Sequence, residues 1–121
     1  MRLATIFTLV ALPAIAQQGI RDSDQILTAA QMSDLLNDQV LEFFDGSKSH
    51  FTSDGAYHYT YTDDGPPWTG RFQVDDDSLV CVDFDNGSRR CDRFVRDGER
   101  LVLITADGLR FPVRNRTVYQ R

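Results

Sequence analysis

Past residue 38 the chain alternates apolar and polar residues in short runs, and nearly every run ends at a polar break. Tyr57, Tyr59 and Tyr61 share one parity against His58, Thr60 and Thr62; Phe72 and Val74 oppose Arg71 and Gln73; Phe111 and Val113 oppose Arg110 and Arg114. A period of two is the mark of half-buried strands. Six of the breaks are Asp-Gly or Asn-Gly, at Asp45-Gly46, Asp54-Gly55, Asp64-Gly65, Asn86-Gly87, Asp97-Gly98 and Asp107-Gly108, and a seventh is the acidic cluster Asp75, Asp76, Asp77. These dipeptides supply the positive φ that tight hairpins require.

The pattern predicts eight strands, at 39–44, 48–52, 56–62, 68–74, 79–84, 88–96, 100–106 and 109–114. Before them, Thr28-Ala29-Ala30-Gln31 has the spacing of a capping box. It opens a short helix over 29–36 that places Met32, Leu35 and Leu36 on one side. The fold class is mainly β: an antiparallel meander forming a small barrel or strongly curled sheet, with one short N-terminal helix. Closure removes exposed edges and favours the barrel over a flatter sheet. Leu101, Val102, Leu103 and Ile104 are apolar at both parities, which calls for cover on each side, assigned here to the helix.

Met1 and Arg2 followed by an apolar run to Pro13 and the small-x-small site Ala14-Ile15-Ala16 read as a secretory signal peptide over residues 1–16. Residues 17–27 form a loose polar lead, and 28–121 a single β-rich domain. No later stretch approaches the roughly 20 apolar residues of a spanning helix, so no transmembrane segment is expected in the mature chain. Location is periplasmic or secreted.

Loss of Arg2 takes the formal charge one unit below the −5 of the whole chain. That sign disfavours nucleic acid as a partner. The charge is uneven: residues 17–88 hold three basic and fourteen acidic residues, and 89–121 hold nine basic and four acidic. Either the basic C-terminal strands lie beside acidic strands and turns, or Arg89, Arg90, Arg93, Arg96, Arg110 and Arg114 form a basic face for an anionic envelope component or an acidic envelope protein.

Cys81 and Cys91 are the only cysteines. With Asp85-Asn86-Gly87 as a three-residue loop and Gly87 left-handed, Cys81 falls opposite Cys91; a two-residue loop would set it against Asp92. Opposed residues of a non-hydrogen-bonded pair lie close enough for a disulfide. The bond and the three-residue loop are expected together, as a structural staple.

The chemistry-bearing residues form no recognisable catalytic set. His50 and His58 face each other if Ser53-Asp54-Gly55 is a three-residue loop, and part if the loop has two residues; with no third ligand in sight, no metal site is expected. Asp83-Phe84-Asp85-Asn86-Gly87 begins like a calcium loop, but its glycine comes one place early and no Glu follows at the required distance. No G-x-S-x-G occurs, and neither histidine sits in a triad context. Tyr57, Tyr59, Tyr61, Trp68 and Phe72 are the candidate ligand-binding residues: core if buried, the lining of a cavity if open, with the 63–67 loop at its mouth.

Val80-Cys81-Val82-Asp83-Phe84-Asp85-Asn86-Gly87-Ser88-Arg89-Arg90-Cys91-Asp92, the Leu27-Thr28-Ala29-Ala30-Gln31-Met32 start and Asp54-Gly55-Ala56-Tyr57 together resemble a family of small exported bacterial β-proteins of unknown function, with a paired-cysteine hairpin. The resemblance covers most of the mature chain, implies periplasmic export and transfers no catalytic residue. The expectation is an exported, non-enzymatic protein without a cofactor that binds a small molecule or an envelope component. The alternative is a protein-interaction module, such as an inhibitor of an envelope hydrolase.

Overall fold

The structure, a computed structural model, describes residues 3–6 and 18–120; the expected leader lies outside the described residues except for 3–6. Its elements run β1 (Asp24–Ile26), α1 (Ala29–Leu35), β2 (Gln39–Phe43), β3 (Lys48–Phe51), β4 (Ala56–Thr60), β5 (Trp68–Val74), β6 (Val80–Phe84), β7 (Arg89–Asp97), β8 (Arg100–Ile104) and β9 (Arg110–Val118). From β2 to β9 each strand pairs antiparallel with the next, and β9 returns to pair with β2, closing an eight-stranded up-and-down barrel. The curled-sheet expectation resolves as full closure, and the flatter sheet is excluded.

Alternation decides what fills the barrel. Leu41, Phe43, Phe51, Tyr57, Val80, Val82, Phe94, Leu101 and Leu103 are buried in one cluster, joined by Leu27, Met32, Leu35 and Leu36. The helix thus plugs one end of the barrel. Its capping box is formed: Gln31 N donates to Thr28 Oγ1 at 3.1 Å, and Thr28 N donates to Gln31 Oε1 at 2.9 Å. Met32 and Leu36 are almost wholly excluded from water, each contributing about 1.5–3 kcal/mol by area burial. At the opposite end, ringed by the turns after β2, β4, β6 and β8, there is no such plug among the described residues.

Three expectations change. The lead is not wholly loose, because β1 pairs with the end of β7, Gln25 opposite Arg96 and Ile26 opposite Val95, on the edge that β6 leaves free. The second face of the 101–104 run is covered by that lead and not by the helix: Val95, Val102 and Ile104 form an outer cluster on which Ile20 packs. The lead is held further by Arg110, whose Nη1 donates to Gly19 O at 2.7 Å and to Asp24 Oδ2 at 2.5 Å. Finally, β9 continues to Val118, beyond the expected end at 114, through a register shift opposite Glu42 and Phe43.

The β6–β7 hairpin has the three-residue loop. Phe84 N donates to Ser88 O at 2.8 Å and Gly87 N to Phe84 O at 2.9 Å, with Gly87 at φ 89°. Cys81 therefore opposes Cys91, their Cα atoms 4.0 Å apart and their sulfurs bonded. Replacing both cysteines with serine is expected to lower stability by about 2–3 kcal/mol, the loop-entropy value for so short a loop. Urea denaturation of the oxidised wild type and the double variant measures it, and coincident midpoints would contradict the staple.

Candidate functional site

At the unplugged end the barrel holds a cavity of about 270 Å³. Phe43, Leu103, Leu109 and Phe111 form its apolar wall, Tyr59 and Tyr61 meet edge to face on one side with ring centres 4.9 Å apart, and Asp45, Ser47, Arg90 and Thr105 supply polar atoms. The strand parity that buries Val82 sends its partner Arg90 inward too, and Asp92 follows opposite Val80. An arginine and an aspartate thereby stand inside a mainly apolar barrel.

The floor of the cavity is a polar relay. Arg90 Nε donates to Asp92 Oδ2 at 2.7 Å, and Nη2 reaches the Tyr57 hydroxyl at 3.5 Å; that hydroxyl lies 3.0 Å from Ser49 Oγ. The guanidinium carbon stands 5.9 Å from the centre of the Tyr59 ring, in cation–π range. Asp92 is 3 % exposed and its Oδ1 has no hydrogen-bond partner among the described residues. Burial pushes its carboxyl above the ordinary range, against the pull of Arg90. Burial likewise raises the Tyr57 and Tyr59 phenols.

Around the rim Phe44, Tyr61, Trp68, Leu109 and Phe111 are exposed apolar side chains. They come from the turns after β2, β4 and β8 and the strands beside them. Asp45 is fixed at the rim by accepting from Ser47 N at 2.9 Å and from Ser47 Oγ at 2.6 Å, bonds that hold its carboxyl below the usual range.

The expected aromatic group divides. Tyr59 and Tyr61 line the cavity, and Trp68 stands at the rim opposite Tyr59. Tyr57 is core, 2 % exposed, and Phe72 packs on Phe51 with ring centres 5.0 Å apart. Sequence reasoning missed Arg90 as an interior group, along with Asp92, Ser49, Phe43 and Phe111. The signal was available in the hairpin register, since Cys81 opposite Cys91 on the outside puts Arg90 opposite Val82 on the inside.

The six arginines do not share a face. Arg90 enters the barrel, and Arg96 lies beside Leu27, Gln31 and Leu35 near the helix. Arg89 binds Asp83 at 2.9 Å, Arg110 is paired with Asp24, and Arg114 Nε lies 3.9 Å from Glu42. Arg93 sits opposite Ile104 at the outward parity of β7. Three of the six thus pair with an acid of a neighbouring strand or of the lead.

On the outer wall, His50 and His58 are directly opposed, as the three-residue loop requires, and their rings stack at 3.9 Å with Tyr119 edge-on to both. Among the described residues no three His, Cys, Asp or Glu side chains converge as a metal site. The His50 imidazole is pushed down to about 4, by burial first and then by His58 and Lys48; burial also lowers His58. A base with a folded pKa below its unfolded 6.5 contributes stability that is complete above 6.5 and declines as pH falls toward 4. The denaturation midpoint of the wild type is therefore expected to drop over that window, and His50→Gln to flatten the drop. Equal pH slopes for the two proteins would refute the assignment.

Comparisons with protein-family models, curated proteins and solved structures find no match. Among the described residues no helix is long and apolar enough to cross a membrane. The disulfide is compatible with an oxidising, extracellular compartment.

Proposed function

We propose that this is an exported, non-enzymatic binding protein that takes a small molecule into the unplugged mouth of its barrel, and that it works in the periplasm or outside the cell. The observation carrying the reading is the cavity in which Tyr59, Tyr61, Phe43 and Phe111 surround Arg90. A mostly apolar concavity with a few convergent polar groups is the common form of a ligand site. The helix plug and packed lower barrel make that site shallow and rigid, so selection rests on the upper layer of side chains alone.

Native mass spectrometry of the protein purified from its host's envelope fraction without reductant tests the reading. A bound species lost on denaturation, and lost from Phe111→Ser, is the expected result; a bare wild-type protein together with failure to bind any small aromatic probe would count against it. A second reading, a protein-interaction module such as an inhibitor of an envelope hydrolase, draws support from the exposed ring of Phe44, Tyr61, Trp68 and Leu109. Phe44→Ser, outside the cavity lining, separates the two: it should leave small-molecule binding intact and weaken only a protein contact.

A further inference from the structure

Charge bookkeeping at the mouth narrows the class of ligand, on the premise that the mouth is the binding site. Among the described residues Arg90 is the only cation lining the cavity. It is already met by Asp92 at 2.7 Å, and Asp45 adds an anion to the lining. The formal charge offered to an occupant is therefore not positive. A carboxylate would bring a second anion to a guanidinium that already serves one, and water screens that repulsion only in part, since the Arg90 side chain is 40 % exposed while that of Asp92 is 4 % exposed. Yet Arg90 has donors to spare: Nε serves Asp92, Nη2 makes a long contact with Tyr57, and Nη1 has no partner among the described residues. Arginine only donates. The unmet demand at the floor is thus for an acceptor without charge.

Size limits the remainder. The volume lies just below the range of about 300–1,000 Å³ typical of drug-sized ligands, and the walls are mainly aromatic or aliphatic, with Ser47 and Thr105 among them. We infer that the occupant is an uncharged, flat, mainly apolar molecule about the size of two fused rings, carrying a terminal carbonyl-type oxygen that accepts from the free edge of Arg90. Its body lies against Phe43, Phe111 and Leu103, and Tyr59 flanks the carbonyl end.

Three probes of matched shape test this: 2-acetylnaphthalene, 2-naphthoate and 2-ethylnaphthalene, titrated calorimetrically into the oxidised wild-type protein near pH 7.5. The ketone is expected to bind roughly tenfold more tightly than the hydrocarbon, the return on one hydrogen bond to a charged donor, and at least as far ahead of the carboxylate. Naphthoate binding tightest, or ketone and hydrocarbon binding equally, would overturn the inference while leaving the mouth as a ligand site. No binding by any of the three would overturn the inference, and, together with a bare wild-type protein in the native mass spectrum, the reading on which it rests. Asp92→Asn, nearly isosteric, releases the charge of Arg90 and should move naphthoate ahead of the ketone; an unchanged order in the folded variant would overturn the charge argument. Asp45→Asn, an exposed turn substitution, is the companion variant. It should improve naphthoate relative to the ketone, and no such relative gain would equally overturn that argument.

Discussion

Replacing Arg90 by leucine is expected to destabilise the protein by about 2–3 kcal/mol, at or below the bottom of the roughly 3–5 kcal/mol that breaking a fully buried ion pair costs. The side chain of Asp92 is only 4 % exposed, so removing its partner leaves a buried carboxylate opposite Val80 with neither oxygen satisfied. Arg90 itself is 40 % exposed in its side chain, which lets water recover part of the loss. The sign of the pH dependence is distinctive. A carboxyl whose folded pKa lies above its ordinary 3.8 causes no penalty below that value, where it is protonated in both states, and a growing one as pH rises toward the folded pKa. The deficit of Arg90→Leu relative to wild type should accordingly shrink on acidification, and adding Asp92→Asn should recover part of it at neutral pH. Urea midpoints at several pH values measure both effects. A deficit independent of pH and untouched by the second substitution would show that the loss is one of packing.

Gly70→Ala is expected to cost about 3 kcal/mol, at the upper end of overpacking penalties. Gly70 is buried on β5 between Tyr57 of β4 and Phe84 of β6, whose rings meet at 5.9 Å. A methyl group here would overlap the carbonyl oxygen of Asp83 and come within 2.9 Å of the Cα of Phe84, both backbone atoms of the neighbouring strand. Backbone in a closed barrel cannot retreat without parting strands. Gly46→Ala is the matched comparison, because nothing lies within 4 Å of a side chain there and only the positive φ of 87° is strained. It should cost about 1 kcal/mol. Equal losses in the two variants would mean that the space at Gly70 is not limiting.

Much of the architecture was legible because it is written locally. Asp-Gly and Asn-Gly mark turns through backbone conformation alone, and loop length then sets register, which is how Cys81 could be matched to Cys91 before any long-range contact was known. The same step left His50 and His58 open, since Ser53-Asp54-Gly55 supports two loop lengths; the bond from Thr52 N to Ala56 O at 3.0 Å decides it. β1 was illegible because Asp24-Gln25-Ile26 has no apolar rhythm and pairs only where β7 outruns β6. The end of β9 escaped for a like reason: Asn115, Arg116 and Thr117 are polar throughout, and β2 holds them by backbone pairing. The candidate site was half legible. Tyrosine alternation located one wall, but Arg90 sits in a run of charged residues that composition assigns to the surface, and only the parity inherited from the disulfide turns it inward.

The pairing of β9 with β2 sets an order of events. Gln39 meets Val118, so the seam joins the two ends of the domain, and no barrel exists until the last strand has emerged. Topologies dominated by such distant contacts fold on the millisecond-to-second scale. The β6–β7 hairpin depends on nothing so remote. Its register is set within residues 80–92, so the cysteines can be brought together before the seam closes, whereas the mouth of the barrel is complete only once β9 has met β2.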